Sequence, residues 1–316
     1  MKQNLPEFDS RKVGVLMGGT SSERDISLES GKAVYEVLNS GKMDVEKIDL
    51  NTVNKSEIRS RLKKSGISIA FIALHGKFGE DGSLQAILEK LNIPYTGSGV
   101  KSSRLALDKI ASRKIFQHKN IPVPNYKIFD KRNKIDLKKI KFNSPVLVVK
   151  PATQGSSVGV SFVDKKSDLF KAADIAFKYD DRIIIEEYLP GREITVGVLE
   201  DKPLPIVEII PKKRFFDFQA KYEKGMTDYE VPAKIPSKIY KKAQGIGLRA
   251  HKVLGCSDFS RVDMILKDNI PYVLEVNTIP GLTAMSLLPK AAKAINIDFL
   301  ELCLRIIKNA YGKKKN

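Results

Sequence analysis

The strongest constraint on how this chain can fold lies in its first hundred residues, where short apolar runs alternate with helical patterns. Val13-Gly-Val-Leu-Met17 reads as a buried strand and ends in Gly18-Gly19. Ile26, Leu28, Ala33, Val34, Val37 and Leu38 then recur at near-helical spacing, and Gly41 closes the helix. A second strand at Val45–Leu50, a helix at Ser56–Lys64 and a third strand at Ile67–Leu74 continue the series. Such alternation predicts an α/β unit: an open parallel sheet with helices on both faces. Pro94 and the Gly97–Gly99 turn mark its end near residue 100.

The pattern then changes. A helical stretch at Leu105–Lys119 and Ile121-Pro-Val-Pro124 lead into a basic connector, Lys131–Lys141. Strands are expected at Val146–Lys150, Val158–Val163 and Ile183–Tyr188, with a helix at Lys166–Phe177. After Pro190-Gly191 come two alternating strands, Glu193–Leu199 and Leu204–Ile210, joined by Asp201-Lys-Pro. The polar stretch Lys212–Val231 is long for a structureless connector and reads as a functional lid hinged at Gly225. A helix at Pro236–Val253, strands at Phe259–Leu266 and Pro271–Val276, and two terminal helices complete three expected domains: 1–100, 101–189 and 190–316.

Composition narrows the classes. Hydrophobic residues make up 42% and charged residues 29% of the 316, which excludes disorder as the main state. The longest strictly apolar run, Ile69–Leu74, is far below the roughly 20 residues that span a bilayer. No secretory signal is visible in Met1–Lys12, so the expected setting is the cytoplasm, without a membrane partner. Cys256 and Cys303 lie among apolar neighbours and read as buried free thiols of a reducing compartment. The net charge of +18 comes from 42 lysines and 13 arginines against 37 acidic residues. The lysines are scattered and no helix-turn-helix, zinc-finger or aromatic RNA-binding signature accompanies them, so no nucleic-acid partner is expected. A phosphorylated or carboxylated small molecule suits the charge equally well.

Four constellations carry chemistry. Gly18-Gly-Thr-Ser-Ser-Glu23 leaves a strand and opens a helix, where free N–H groups face a small polar ligand. It reads equally as a plain turn capped by Ser22 or Asp25, although the Glu23 carboxylate could hold an ammonium group. His75-Gly-Lys-Phe-Gly-Glu-Asp-Gly82 follows the third strand at the same sheet edge, where ligands of open α/β sheets collect. Lys150-Pro-Ala-Thr-Gln-Gly-Ser-Ser-Val-Gly159 pairs a strand-borne lysine with small residues that let the backbone approach phosphates. Flanking strands and the lack of G-K-[ST] exclude a Walker loop. Finally, Arg261 and Asp263 share one face of a strand, as do Glu275 and Asn277 on the next. If those strands pair, three oxygen donors converge, a set that suits Mg²⁺. The turn Thr278–Leu287 beyond them is rich enough in hydroxyls and amides to hold a carboxylate.

Taken in order, Gly18–Ser30, Leu74–Gly82, Asp108-Lys109, Lys150–Gly159, Glu186–Glu193, Lys221-Tyr222 and Arg261–Leu287 resemble the ATP-grasp superfamily and, within it, the D-alanine–D-alanine ligase family. The resemblance spans nearly the whole chain. Only the lysine-rich composition and the Ala-Thr-Gln of the Gly-rich loop depart from the pattern. It implies a two-part ATP-grasp fold after the N-terminal sheet. It also implies ATP as co-substrate, two Mg²⁺ ions with Mn²⁺ substituting, two D-alanine substrates joined for peptidoglycan synthesis, and a homodimer.

Site roles follow from the same resemblance. Lys109, Lys150, Ser156 and Ser157 would bind the ATP phosphates; Glu186, Glu187 and Leu189 would face the adenine; and Glu193 would take the ribose. Asp263, Glu275 and Asn277 would hold metal. Glu23 and His75 would receive the first D-alanine, Ser286 and Leu287 the second, and Arg261 with the Gly281 amide the oxyanion. Lys221 and Tyr222 would lie on the mobile loop, with Tyr222 bonding Ser156 and Glu23. The reaction implied runs through an acyl phosphate, with catalysis by positioning and charge.

Overall fold

The computed structural model describes residues 11–133, 140, 142, 144–212 and 226–312. β1 (Val13–Gly18), α1 (Arg24–Ser40), β2 (Val45–Leu50), α2 (Lys55–Ser65) and β3 (Ile69–Ile72) follow the predicted alternation. Their strands form a parallel sheet of order β2-β1-β3, with Val13 beside both Val45 and Ile69. α1 turns Ser27, Ser30, Gly31, Val34 and Leu38 inward, the spacing that one helical face provides. A Cβ at Gly31 would lie 2.5 Å from Met17 Cβ, so glycine sets how closely α1 sits on β1. α2 begins where Asn54 accepts from the N–H groups of Ser56 and Glu57 and ends at left-handed Gly66.

Both faces of this sheet are covered. One packs on α2 and α3 (Ser83–Lys90). The other packs on α1 and, from the far end of the chain, on α8 (Leu287–Lys293) and α9 (Phe299–Gly312). Leu302, Ile306 and Ile307 of α9 are fully buried there, each contributing about 1.5–3 kcal/mol.

One expected element is corrected. The stretch Leu105–Lys119 is not a single helix but parts of two, α4 (Val100–Leu107) and α5 (Lys109–His118), broken at Asp108. Asp108 leaves the helical region with ψ 98°, and its carboxylate accepts from the N–H groups of Ile110 and Ala111. Aspartate competes for backbone donors in this way, and the break sets Lys109 at the first position of a new helix.

The second sheet is antiparallel, of order β4-β7-β5-β6, from β4 (Tyr126–Asp130), β5 (Leu147–Pro151), β6 (Ser161–Val163) and β7 (Arg182–Glu187). α6 (Leu169–Ala176) covers one face. β6 is shorter than Val158–Val163, because Ser156 and Ser157 take φ of 48° and 61° and hold the loop in turns. The third sheet contains β8 (Arg192–Leu199), β9 (Lys202–Pro203), β10 (Val207–Pro211), β11 (Thr227–Glu230), β12 (Phe259–Lys267) and β13 (Ile270–Asn277). Its order is β11-β10-β8-β12-β13, with β9 beside β8 and α7 (Ser237–Val253) packed against it. The polar stretch Lys212–Val231 thus ends in a strand, Thr227 pairing with Pro211. Its expected hinge at Gly225 lies outside the described residues. Among those residues no helix is long and apolar enough to cross a membrane.

Candidate active site

The second and third sheets face each other across a cavity of about 350 Å³. On the first wall, β5 and β7 run antiparallel with Val148 opposite Glu186, so Lys150, two residues on, shares the face of Glu186. Lys150 Nζ lies 2.7 Å from Glu186 Oε1. The other oxygen, Oε2, lies 2.5 Å from Arg113 Nη1, a charge pair whose N–H does not point along the contact. Arg113 is fully buried and comes from α5, one turn after Lys109. Lys109 in turn lies 3.0 Å from Glu275 Oε2 and donates to the Gln154 carbonyl at 2.6 Å.

Three cations therefore surround two carboxylates, leaving an excess of positive charge. Burial pushes the Lys150 ammonium down to about 8; Glu186 opposes that shift, and Arg113 and Lys109 add to it. Burial acts to raise Glu186, but Arg113 and Lys150 outweigh it and hold the carboxyl below its ordinary range. A polyanion entering the cleft would relieve this imbalance.

The opposite wall carries the oxygen donors. β12 and β13 pair with Asp263 opposite Glu275 and Arg261 opposite Asn277, bringing all four residues to neighbouring positions of one ladder. Arg261 grips both Asp263 oxygens, from Nε at 2.9 Å and Nη2 at 2.8 Å, and Thr195 of β8 donates to Oδ1 at 2.7 Å. Asn277 Oδ1 accepts from the Ile279 N–H at 3.0 Å. Among the described residues no three His, Cys, Asp or Glu side chains form an ion cage. Two carboxylates and an amide are nonetheless the hard donor set that Mg²⁺ accepts, the other positions falling to phosphate oxygens and water.

At the end of the first sheet Glu23 precedes α1, and Ser156 of the Gly-rich loop donates to its Oε1. Gly76 and Gly155 flank the carboxylate: a Cβ on either would lie 2.7 or 2.9 Å from Oε2. His75 Nδ1 donates to the Ile279 carbonyl at 2.9 Å, so in the neutral ring Nε2 accepts from Ser30 Oγ at 3.0 Å. Glu80 lies 3.6 Å from His75 Nδ1, and burial pushes its carboxyl above the usual range although His75 pulls it down. Ser21, Ser22, Glu23, Lys77, Gln154 and Tyr179 border a second cavity of about 630 Å³. In the turn after β13, a Cβ on Gly281 would lie 3.0 Å from Ser286 Oγ, which accepts from the Thr283 N–H at 3.1 Å. Leu287 opens α8.

The expected residues mostly gather. Ser157, Leu189 and Glu193 line the first cavity with Lys109, Lys150, Glu186, Asp263 and Glu275. Glu187 lines it too, but its side chain is turned to accept from the Asn125 N–H and side-chain amide. Lys221 and Tyr222 lie outside the described residues. Arg113, Thr195 and Glu80 were not among the expected residues. For Arg113 the available signal was its position one helical turn after Lys109.

A parallel-sheet unit followed by two antiparallel sheets closing on a cation-lined cleft places the chain in the ATP-grasp class of ligases. Family models described as D-ala D-ala ligase C-terminus and N-terminus match residues 115–308 and 50–98. The D-alanine–D-alanine ligase of Geotalea uraniireducens is 46% identical over 304 residues, 96% of each chain. The crystal structure of D-alanine–D-alanine ligase from Bacillus anthracis complexed with ATP is similar at a TM-score of 0.85 and 37% identity, over 96% of this chain and 98% of that one. The VanG D-Ala:D-Ser ligase from Enterococcus faecalis matches at 0.81 and 31%, over 95% and 99%. The chain belongs to the D-alanine–D-alanine ligase family, whose members are ATP-dependent ligases that use a divalent metal.

Proposed function

We infer that this chain couples the conversion of ATP to ADP and phosphate to the joining of two D-alanine molecules. One observation carries the reading: Gln154 of the Gly-rich loop borders both cavities, and its carbonyl is held by Lys109. A nucleotide in the first cavity and an amino acid at Glu23 would thus meet across one loop.

In this reading Lys109 and Lys150 bind the phosphates, with Ser156 and Ser157 over them. Glu186 and the Glu187–Leu189 backbone face the adenine, and Glu193 takes the ribose. Asp263, Glu275 and Asn277 would hold two Mg²⁺ ions, or Mn²⁺ in their place, whose charge would offset that of the phosphates. Glu23, fixed by Ser156, orients the first D-alanine through its ammonium beside His75. A carboxylate oxygen of that substrate attacks the γ-phosphorus and ADP departs, leaving D-alanyl phosphate. Ser286 and the Leu287 amide receive the carboxylate of the second D-alanine, whose free amine attacks the activated carbonyl. Arg261 and the Gly281 amide hold the oxyanion until phosphate leaves. Residues 1–100 thus supply the first amino-acid subsite, 101–189 the clasp and 190–316 the metal and acceptor sites. The enzyme works as a cytoplasmic homodimer, and its dipeptide feeds peptidoglycan precursor synthesis.

ADP release with ATP and Mg²⁺ tests this reading, with D-alanine alone, L-alanine, or D-alanine mixed with D-serine or D-lactate. Turnover dependent on D-alanine and metal, in step with dipeptide, is expected. Equal rates with L-alanine would remove the substrate assignment, and a mixed product dominated by D-serine or D-lactate would reassign the acceptor.

A further inference from the structure

Arg113 has no role in the reading above, yet it is the largest fully buried side chain of the described residues. Its guanidinium sits behind the nucleotide cavity, against Glu186 Oε2 on one side. Nη2 reaches the Leu274 carbonyl at 3.5 Å, next to Glu275. One face lies 5.3 Å from the Tyr126 ring centroid, and Tyr126 is the residue opposite Glu186 in the β4–β7 ladder. α5 therefore carries two buried cations one turn apart, Lys109 reaching Glu275 in the cleft and Arg113 reaching Glu186 from behind the other wall.

We propose that Arg113 is a positioning residue that keeps Glu186 an acceptor for the exocyclic amine of a 6-aminopurine, and so sets the base selectivity of the nucleotide cleft. This rests on the reading that Glu186 faces the base. Without nucleotide, Glu186 has two counter-charges, Lys150 on Oε1 and Arg113 on Oε2. When Lys150 turns to a phosphate, Oε1 is released and Arg113 is the counter-charge that remains. A buried carboxylate stripped of its cations takes up a proton. It then becomes a donor, matching the 6-oxo group of hypoxanthine rather than the amine of adenine. A guanidinium does not lose its own proton in proteins, so an arginine here fixes the acceptor state of Glu186 whatever Lys150 does. Lys150, a lysine that burial already drives toward neutrality, could not guarantee this alone.

The test compares kcat/KM for ATP and ITP, which differ in the 6-substituent of the base and the proton on N1, in the wild type, Arg113→Met, Arg113→Lys and Glu186→Gln. The change of the ratio on substitution, not its wild-type value, reports on Glu186. Arg113→Met is expected to lower the ATP/ITP ratio by about tenfold to a hundredfold, the range for one hydrogen bond to a charged group. The loss should lie mainly in KM for ATP, and Arg113→Lys should restore most of it. An unchanged ratio in folded Arg113→Met, while Glu186→Gln lowers it, overturns the role of Arg113 and leaves the base reading standing. An unchanged ratio in Glu186→Gln removes the base reading and this proposal with it. Should Arg113→Met not fold, the double variant Arg113→Met/Glu186→Gln leaves no stranded charge. Its ratio should equal that of Glu186→Gln, and a further loss would refute action through Glu186.

Discussion

If Lys150 binds phosphate as proposed, ATP affinity should depend on pH, and the depressed Lys150 value sets the expected size of the effect. Lys150 is driven down to about 8 by burial, with Arg113 and Lys109 adding to the push. A phosphate beside the ammonium should return it toward the ordinary lysine value near 10.4, so bound nucleotide keeps Lys150 charged across the neutral range. At pH 7 the free protein already carries that proton. At pH 8 about half the molecules lack it, and at pH 9 about nine in ten do. Binding therefore takes up about half a proton at pH 8, and affinity weakens as pH rises: Kd should increase about tenfold from pH 7 to 9, or about 1.4 kcal/mol. Calorimetry in two buffers of different ionisation enthalpy, at saturating Mg²⁺, reads the proton directly. Lys150→Met should bind weakly at every pH and lose the linkage. A flat Kd between pH 7 and 9, or the same slope in Lys150→Met, would refute the argument.

Two substitutions probe the two ends of the site. Glu275→Gln keeps volume but removes a charge from the metal wall and from the Lys109 pair. Turnover should fall by about 100-fold or more while the fold persists at a lowered melting temperature, because Lys109 loses its charged partner; near-normal turnover would make Glu275 a structural carboxylate. Gly155→Ala brings a Cβ to 2.9 Å from Glu23 Oε2. The far end of a flexible side chain yields at little cost, so the fold should persist while Glu23 is pushed off its position. The expected result is a KM for the amino acid raised by more than the KM for ATP, because Gly155 also borders the nucleotide cavity; unaltered kinetics would show that the position of Glu23 does not matter.

The order of elements was largely readable because the first sheet is buried on both faces, and such strands stand out as apolar runs between helical periods. The convergence of the oxygen donors was readable for a different reason. Residues two apart on a strand share a face, so Arg261 with Asp263 and Glu275 with Asn277 needed only the pairing of adjacent strands to converge. What escaped was set by contacts distant in sequence. The helix break at Asp108 is stabilised partly by Arg182, 74 residues away, which donates to its other carboxylate oxygen at 2.9 Å. The buried state of Arg113 depends on Glu186 and Leu274, neither of which is near it in the chain. β4 was hidden because its exposed Lys127 and Ile128 blur the alternation that marks a strand. The resemblance implies that Glu187 faces the adenine, and it does line the cavity, but the alternation of β7, which the sequence did not place to the residue, turns its side chain to Asn125.

Each cation at or behind the cleft is held on a carboxylate: Lys109 on Glu275, Lys150 and Arg113 on Glu186, Arg261 on Asp263. An unpaired buried charge costs several kcal/mol, so a cleft of naked lysines waiting for phosphate would weaken the fold that holds it. Storing each cation on a group with its own task in the bound state avoids that cost. On the proposed roles, Lys109 would move from Glu275 to phosphate, leaving Glu275 to hold metal, and Lys150 would move from Glu186 to phosphate, leaving Glu186 to the base. Each cation exchanges a carboxylate for phosphate, and Glu186, whose new neighbour is the neutral base, keeps Arg113 as its counter-charge. The same exchange couples the ligands. Phosphate without metal would strand Glu275, and metal without phosphate would have to displace Lys109 with nothing to receive it. α5 carries both Lys109 and Arg113, and the Asp108 cap fixes where that helix begins. The placement of a single helix start therefore sets both walls of the cleft at once.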